Sequence, residues 1–257
     1  SALEVGIVGD FDEKTLISLL AKTLGALPKR DEAVVIDDAE REITIPNTPV
    51  TKAFHYESKV EKALAYVHWK AEDNREHNPK LLRRASILAA ILNDRLRVKL
   101  REELGESYSP GAGSDLSETY NNVGFIIAYS SVKPKDLDHV SKVVVGIGEN
   151  LAKNGITDDE LNRALTPRFG TLKRSKRQNS YWLDTVIGES QTQTYRIDWA
   201  RGRDADYKSI NKEDIDTLAK KYLTADRSLS VKISPKGADE VKVTLKPGSV
   251  TSLQHSE

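Results

Sequence analysis

Arg101 and Tyr108 stand seven residues apart in the run Leu100-Arg101-Glu102-Glu103-Leu104-Gly105-Glu106-Ser107-Tyr108-Ser109-Pro110-Gly111-Ala112-Gly113. The apolar spacing before them predicts that Arg101 closes a long helix. Tyr108 then falls in a small-residue loop just past Gly105, a residue that can end a helix. A guanidinium is charged at any working pH and offers a planar fork of donors. A phenol brings one hydroxyl. Together at a helix-to-loop corner they could grip a backbone carbonyl or a carboxylate. Residue types alone leave a second reading open, in which Arg101 favours the helix dipole and Tyr108 packs on a sheet.

Other chemistries find less support. The histidines are His55, His68, His77, His139 and His255. No two are four apart, as two imidazoles on one helix face would be, and neither His-Glu-x-x-His nor His-x-x-Glu-His occurs. No metal site is therefore expected in this chain. There is no cysteine, which excludes disulfides, thiolate zinc sites and cysteine nucleophiles and fits cytoplasm or periplasm alike. Gly111-Ala112-Gly113 lacks the Lys-Ser/Thr of a phosphate loop and reads as a flexible loop. No Gly-x-Ser-x-Gly elbow is present, so no catalytic residue is identified. The basic run Lys173-Arg174-Ser175-Lys176-Arg177 reads as a solvated helix face. Lys+Arg and Asp+Glu both number 39, which removes the general argument for nucleic acid or an anionic membrane. No apolar run approaches the length of a membrane span.

The elements that must hold the corner follow from patterning. At 257 residues, 38% hydrophobic and 30% charged, the chain can bury a substantial core. Residues 3–8 alternate and read as a strand. Asp10 or Asp12 then caps a helix carrying Leu16, Ile17, Leu19, Leu20 and Leu24, closed by a left-handed Gly25 and by Pro28. A strand is predicted at residues 42–45. Runs at residues 52–57 and 63–70 read as strands that could neighbour each other in an antiparallel sheet. In the second, Leu64, Tyr66 and His68 oppose Ala63, Ala65, Val67 and Trp69.

Asn78-Pro79 starts the longest helix, to about Leu104, with a stripe of Leu81, Ala85, Leu88, Leu92 and Leu96 widened by Ile87 and Ile91. A buried strand follows at residues 123–130. A helix then runs from Pro134 to Asn154-Gly155, and a capping box at Thr157-Asp158-Asp159-Glu160 opens another, which should bend or break near Pro167. Tyr181-Trp182-Leu183 with Val186 and Ile187 looks like a further helix with an aromatic anchor, and Asn211 caps a last helix. Final strands are read at residues 228–234 and 240–245. This order fits an α+β fold, an antiparallel or mixed sheet with helices packed on one face.

Several stretches resemble the second half of peptidase M16 proteins, the pitrilysin and insulin-degrading type zinc metallopeptidases and the mitochondrial processing peptidases. Ile91-Leu92-Asn93-Asp94-Arg95-Leu96, leading into Leu100-Arg101 and Tyr108-Ser109, carries the resemblance most directly. Val5-Gly6-Ile7-Val8-Gly9-Asp10-Phe11-Asp12 resembles the opening strand and turn of the family's C-terminal-type domain, and Gly25-Ala26-Leu27-Pro28 the end of its next helix. Gly155-Ile156-Thr157-Asp158-Asp159-Glu160-Leu161-Asn162-Arg163-Ala164 resembles a helix-opening motif, and Asn179-Ser180-Tyr181-Trp182-Leu183 the bacterial PqqL-like branch. The chain departs at Glu102-Glu103-Leu104-Gly105, where many relatives carry a Lys, but keeps the Arg-to-Tyr spacing.

The resemblance implies one M16 C-terminal-type domain over residues 1–257, a piece of a longer two-half protein, with a frayed tail at 247–257. It implies that zinc is held by another, metal-bearing domain, in the same chain or a partner subunit, and that this chain is inactive alone. Arg101 and Tyr108 match an Arg and a Tyr that hold the substrate backbone and steady the scissile carbonyl. The implied substrate is a peptide or small protein, and the implied setting a bacterial periplasm or cytoplasm, with the periplasm favoured. The alternative is a degenerate M16-like subunit that serves binding or assembly without proteolysis.

Overall fold

Burial alternates along the central strand. Ala63, Ala65, Val67 and Trp69 are fully buried, while Leu64, Tyr66 and His68 between them are half-buried. The strand therefore has a core face and an open face. The computed structural model describes residues 3–29, 36–46, 49–104 and 109–236, the side chains of Glu103 and Leu104 excepted. Within them the elements are α1 (Glu13–Lys22), β1 (Val50–Tyr56), β2 (Ala63–Lys70), α2 (Pro79–Leu104), β3 (Ser109–Leu116), β4 (Gly124–Val132), α3 (Leu137–Asn154), α4 (Asp158–Ser175), a wide π-type turn (Tyr181–Ile187), α5 (Tyr195–Ser209), α6 (Lys212–Tyr222) and β5 (Ser228–Pro235).

The five strands form one mixed sheet in the order β1-β5-β2-β4-β3. Only β1 and β5 are parallel; the other pairs are antiparallel. Here the sequence reading is corrected, because β1 and β2 are not neighbours. β5 returns from the end of the described chain and inserts between them, pairing Val231 with Lys52 on one side and Tyr66 on the other. Residues 3–8 pair with no strand among the described residues, and of residues 42–45 only Glu42 makes an isolated bridge, to Asn121. Gly111-Ala112-Gly113 belongs to β3 and is not a loop. Gly25 lies in a short 3-10 turn, Leu24–Ala26, without a left-handed backbone. Residues 240–245 and the tail at 247–257 fall outside the described residues.

Helices α2 and α3 cover the core face. Asn78 Oδ1 accepts from the amides of Lys80 and Leu81 at 3.0 and 3.2 Å, satisfying donors that a helix start leaves free. The stripe Ala85, Leu88, Leu92, Leu96 and Leu100, with Ile87 and Ile91, is buried and joins Trp69, Ile126 and Ala128 of the sheet and Val140, Val144 and Leu151 of α3 in one core. A Cβ on Gly148 of α3 would lie 2.6 Å from Trp69 Cζ2, so only glycine lets α3 close on that ring. α3 ends at Gly155, whose φ of 70° is left-handed. α4 starts with the expected capping box and continues unbroken through Pro167. Leu161 and Leu165 are buried before the proline and Leu172 after it, so packing holds both sides in line.

Candidate functional site

Arg101 is exposed near the C-terminal end of α2. A cation there meets the negative end of the helix dipole. Gly105 and Tyr108 lie outside the described residues; in sequence Tyr108 directly precedes Ser109, the first residue of β3. That strand pairs from Ser109 opposite Ser131 to Leu116 opposite Gly124, and it is the last strand of the sheet among the described residues. The corner thus lies where the longest helix gives way to a sheet edge.

Charged contacts fix the last turns of α2. Arg95 donates Nε to Glu160 Oε1 at 2.6 Å and Nη2 to Glu160 Oε2 at 3.0 Å. It also donates to Asn150 Oδ1 at 2.8 Å and to the Gly155 carbonyl at 2.9 Å. One guanidinium therefore ties α2 to the end of α3 and to the capping box of α4. The Arg95 hydrogen bond is the largest influence on Glu160 and holds its carboxyl below the ordinary range, against a smaller opposing effect of burial. Asp94 is likewise held low, first by its hydrogen bond from Arg97 at 2.8 Å, and also accepts from Arg163 at 3.0 Å. Arg95 and Arg97 are committed to carboxylates; among the described residues no such pair is seen for Arg101.

Beyond the corner, the open face of the sheet carries an aromatic band. Tyr66 and Tyr129 are paired across β2 and β4 with ring centroids 5.6 Å apart, and His68 and Phe125 lie 5.4 Å apart. Tyr129 is 41% exposed and covers Gly111 of β3, where a Cβ would come within 2.3 Å of the ring. Burial holds the His68 imidazole below its ordinary range, favouring the neutral ring. Sequence alternation placed Tyr66 and His68 on one face, but not Tyr129 beside them. A tyrosine within an otherwise apolar strand run is the one signal that could have marked it.

The described histidines lie apart from one another, each in its own surroundings. His55 Nδ1 lies 3.1 Å from Ser234 Oγ, His68 sits among aromatics, and His77 stacks on Tyr195 at 4.0 Å. His139 lies on α3, and His255 is outside the described residues. No three His, Asp or Glu converge among the described residues. In the basic run, Lys176 is paired with Asp204 of α5, and Arg174 donates to Thr171 at 3.2 Å. The expected aromatic anchor is Tyr181, which is buried with Leu172 and Val186, while neighbouring Trp182 is 41% exposed.

Residues 1–167 match the family described as the peptidase M16 inactive domain. The chain belongs to the peptidase M16 family. Its fold is that of the M16 inactive domain from Pseudomonas fluorescens, with a TM-score of 0.70 at 18% identity over 91% of this chain and 54% of that one. The periplasmic protease PqqL from Escherichia coli aligns with a TM-score of 0.67 at 19% identity, over 89% of this chain and 25% of that one. Among curated proteins, the chloroplastic stromal processing peptidase of Oryza sativa subsp. indica is 23% identical over 88% of this chain and 21% of its own length. This M16 chain thus spans about a fifth of that curated relative and about half of the Pseudomonas structure. No helix among the described residues is long and apolar enough to cross a membrane.

Proposed function

We propose that this chain is a substrate-binding M16 domain that closes a peptide chamber opposite a zinc-bearing M16 half, in the same polypeptide or a partner subunit. The observation that carries the reading is the match of residues 1–167 to the family's inactive domain, with Arg101 exposed at the end of α2. Residues 1–257 then act as one C-terminal-type domain of a longer two-half peptidase.

In this reading Arg101 and Tyr108 are the peptide-gripping pair. Arg101 keeps its charge at any working pH and donates to a substrate backbone carbonyl. The Tyr108 hydroxyl donates to an oxygen that gains negative charge as the carbonyl is attacked, where a fixed donor is worth most. Their part is binding and orientation; the metal-bearing half supplies the zinc and the attacking water. The aromatic band of Tyr66, His68, Phe125 and Tyr129 gives an extended peptide an apolar surface to lie on. A peptide or small protein is the substrate class this surface suits.

The test joins this chain to a zinc-loaded M16 half and follows cleavage of a fluorogenic peptide. Arg101→Ala should lower turnover while zinc content, measured by atomic absorption, stays the same. Wild-type turnover in that variant would overturn the assignment of Arg101. A joined protein that binds peptide but never cleaves it would instead favour a degenerate binding or assembly subunit.

A further inference from the structure

β3 carries two glycines on the open face of the sheet, and only one of them is covered. Register sets Gly111 opposite Tyr129 and Gly113 opposite Ile127, with Tyr66 and His68 next in the same two rows. The Tyr129 ring lies over Gly111, where a Cβ would come within 2.3 Å of it. A Cβ on Gly113 would meet nothing within 4 Å. Its backbone is not left-handed, so no turn asks for glycine there. Glycine inside a strand weakens it and marks a place where something else comes close. Among the described residues β3 is the last strand of the sheet, and nothing reaches Gly113 from its outer side. The result is a recess one residue wide, floored by the Gly113 backbone. Ile127 stands beside it on β4, with the rings of Tyr129 and Phe125 two residues to either side. Asp115, exposed, holds the next open-face position on β3.

We infer that this recess is a specificity subsite, in which an aromatic residue of the peptide seats its ring over Gly113 as Tyr129 seats its own over Gly111. The inference rests on the reading given under Proposed function and adds a sequence preference to it. Continuity with the corner selects the occupant. Gly113 lies four residues along β3 from Ser109, about 14 Å of extended chain. A peptide gripped at the corner and laid along β3 therefore brings a side chain roughly four residues from the gripped carbonyl over the recess, with alternate side chains turned to the open face. Contact with the rings of Tyr129 and Phe125 favours an aromatic side chain beyond the area it covers. Asp115 disfavours an acidic one at the same position.

The experiment joins this chain to a zinc-loaded M16 half and uses fluorogenic peptides in which one Phe is walked through an alanine-rich sequence. kcat/KM should peak, at about fivefold or more over the all-alanine peptide, with Phe at one position roughly four residues from the cleaved bond. Gly113→Val fills the recess with a side chain that suits a strand, and the Phe-to-Ala ratio should fall to about one. Gly113→Ala should lower the ratio part of the way, which gives a second reading should valine disturb β3. If the joined protein binds peptide without cleaving it, the same ratios taken from Kd decide the matter. A flat Phe scan, or a peak that keeps its full height in both variants, would overturn this inference and leave the proposed function standing, since Arg101→Ala tests that separately. A preference for Lys or Arg at the same position, lost in Asp115→Asn, would make the recess a cation site and overturn the aromatic assignment. A joined protein that neither binds nor cleaves any of the peptides would overturn both readings.

Discussion

Arg83 and Asp206 meet at 2.6 Å although 123 positions separate them in the chain, and both side chains are under a tenth exposed. Asp206 also accepts from Arg84 at 3.0 Å, while Arg83 donates a second bond to the Trp199 carbonyl at 2.8 Å. Burial pushes the Asp206 carboxyl up, but the two arginines outweigh it and hold the group below its ordinary range. These contacts fasten α5 to the N-terminal half of α2. Asp206→Asn keeps the shape and removes the charge, leaving a buried guanidinium without its counterion. The expected loss is about 3 kcal/mol, read as a lower midpoint in urea unfolding. The paired change Arg83→Met with Asp206→Leu should recover much of it, since the buried guanidinium is gone and Arg84 keeps Asp214 at 3.1 Å.

Glu160 predicts a pH dependence. Its carboxyl is held low chiefly by Arg95, so its folded-state pKa lies below the ordinary value of 4.5. A depressed carboxyl adds stability that is fully present above the unfolded value and is lost as pH falls through the folded one. Glu160→Gln should therefore lower stability at pH 7 by about 1–2 kcal/mol, through the weakened cap and the loss of the carboxylate that pairs with Arg95. The gap between variant and wild type should close as the pH drops below about 4. Chemical denaturation at a series of pH values checks both the size and the sign. A gap that persisted into acid would mean that Arg95 does not depend on the Glu160 charge.

Gly148 and Trp69 give a packing prediction. A methyl at position 148 would meet Trp69 Cζ2 at 2.6 Å and Cε2 at 3.1 Å, with Trp69 fully buried and unable to swing aside. Gly148→Ala should cost about 1–3 kcal/mol despite alanine's higher helix propensity. Gly146, two residues earlier on the opposite side of α3, faces open space, so Gly146→Ala should be neutral or stabilising. The two melting temperatures, measured side by side, separate close packing from propensity.

What the sequence disclosed followed the range of the forces involved. Caps at Asn78, Thr157 and Asn211 were legible because capping is decided within four residues, and all three side chains accept from the expected amides. The two faces of β2 were legible because alternation is local. The place of β5 was not, since pairing joins residues far apart and alternation does not name a neighbour. α5 escaped because it has no apolar stripe. Asp206 and Trp199 tie it to Arg83 and Tyr195 stacks on His77, and those partners come from distant elements. Gly111 and Gly113 suggested a loop because glycine-rich runs usually are loops; Tyr129 lying over Gly111 explains why a strand uses glycine there. At the corner, helical spacing placed Arg101 at a helix end, while the proposal that it binds peptide rests on resemblance alone.

Arg101 allows a sharper test than its removal. If the guanidinium holds a peptide carbonyl through a planar pair of donors, charge alone will not replace it. In the joined enzyme, Arg101→Ala should reduce kcat/KM by on the order of 10²-fold, the scale on which a misplaced substrate costs rate. Arg101→Lys keeps the cation but loses the fork, and should recover only part of that loss. If the contact forms mainly in the transition state, the loss falls on kcat with KM little changed; a rise in KM alone would mean uniform substrate binding. Because Arg101 is exposed, neither variant should shift the melting temperature. A loss of stability in step with the loss of activity would return Arg101 to the role of a helix-end charge.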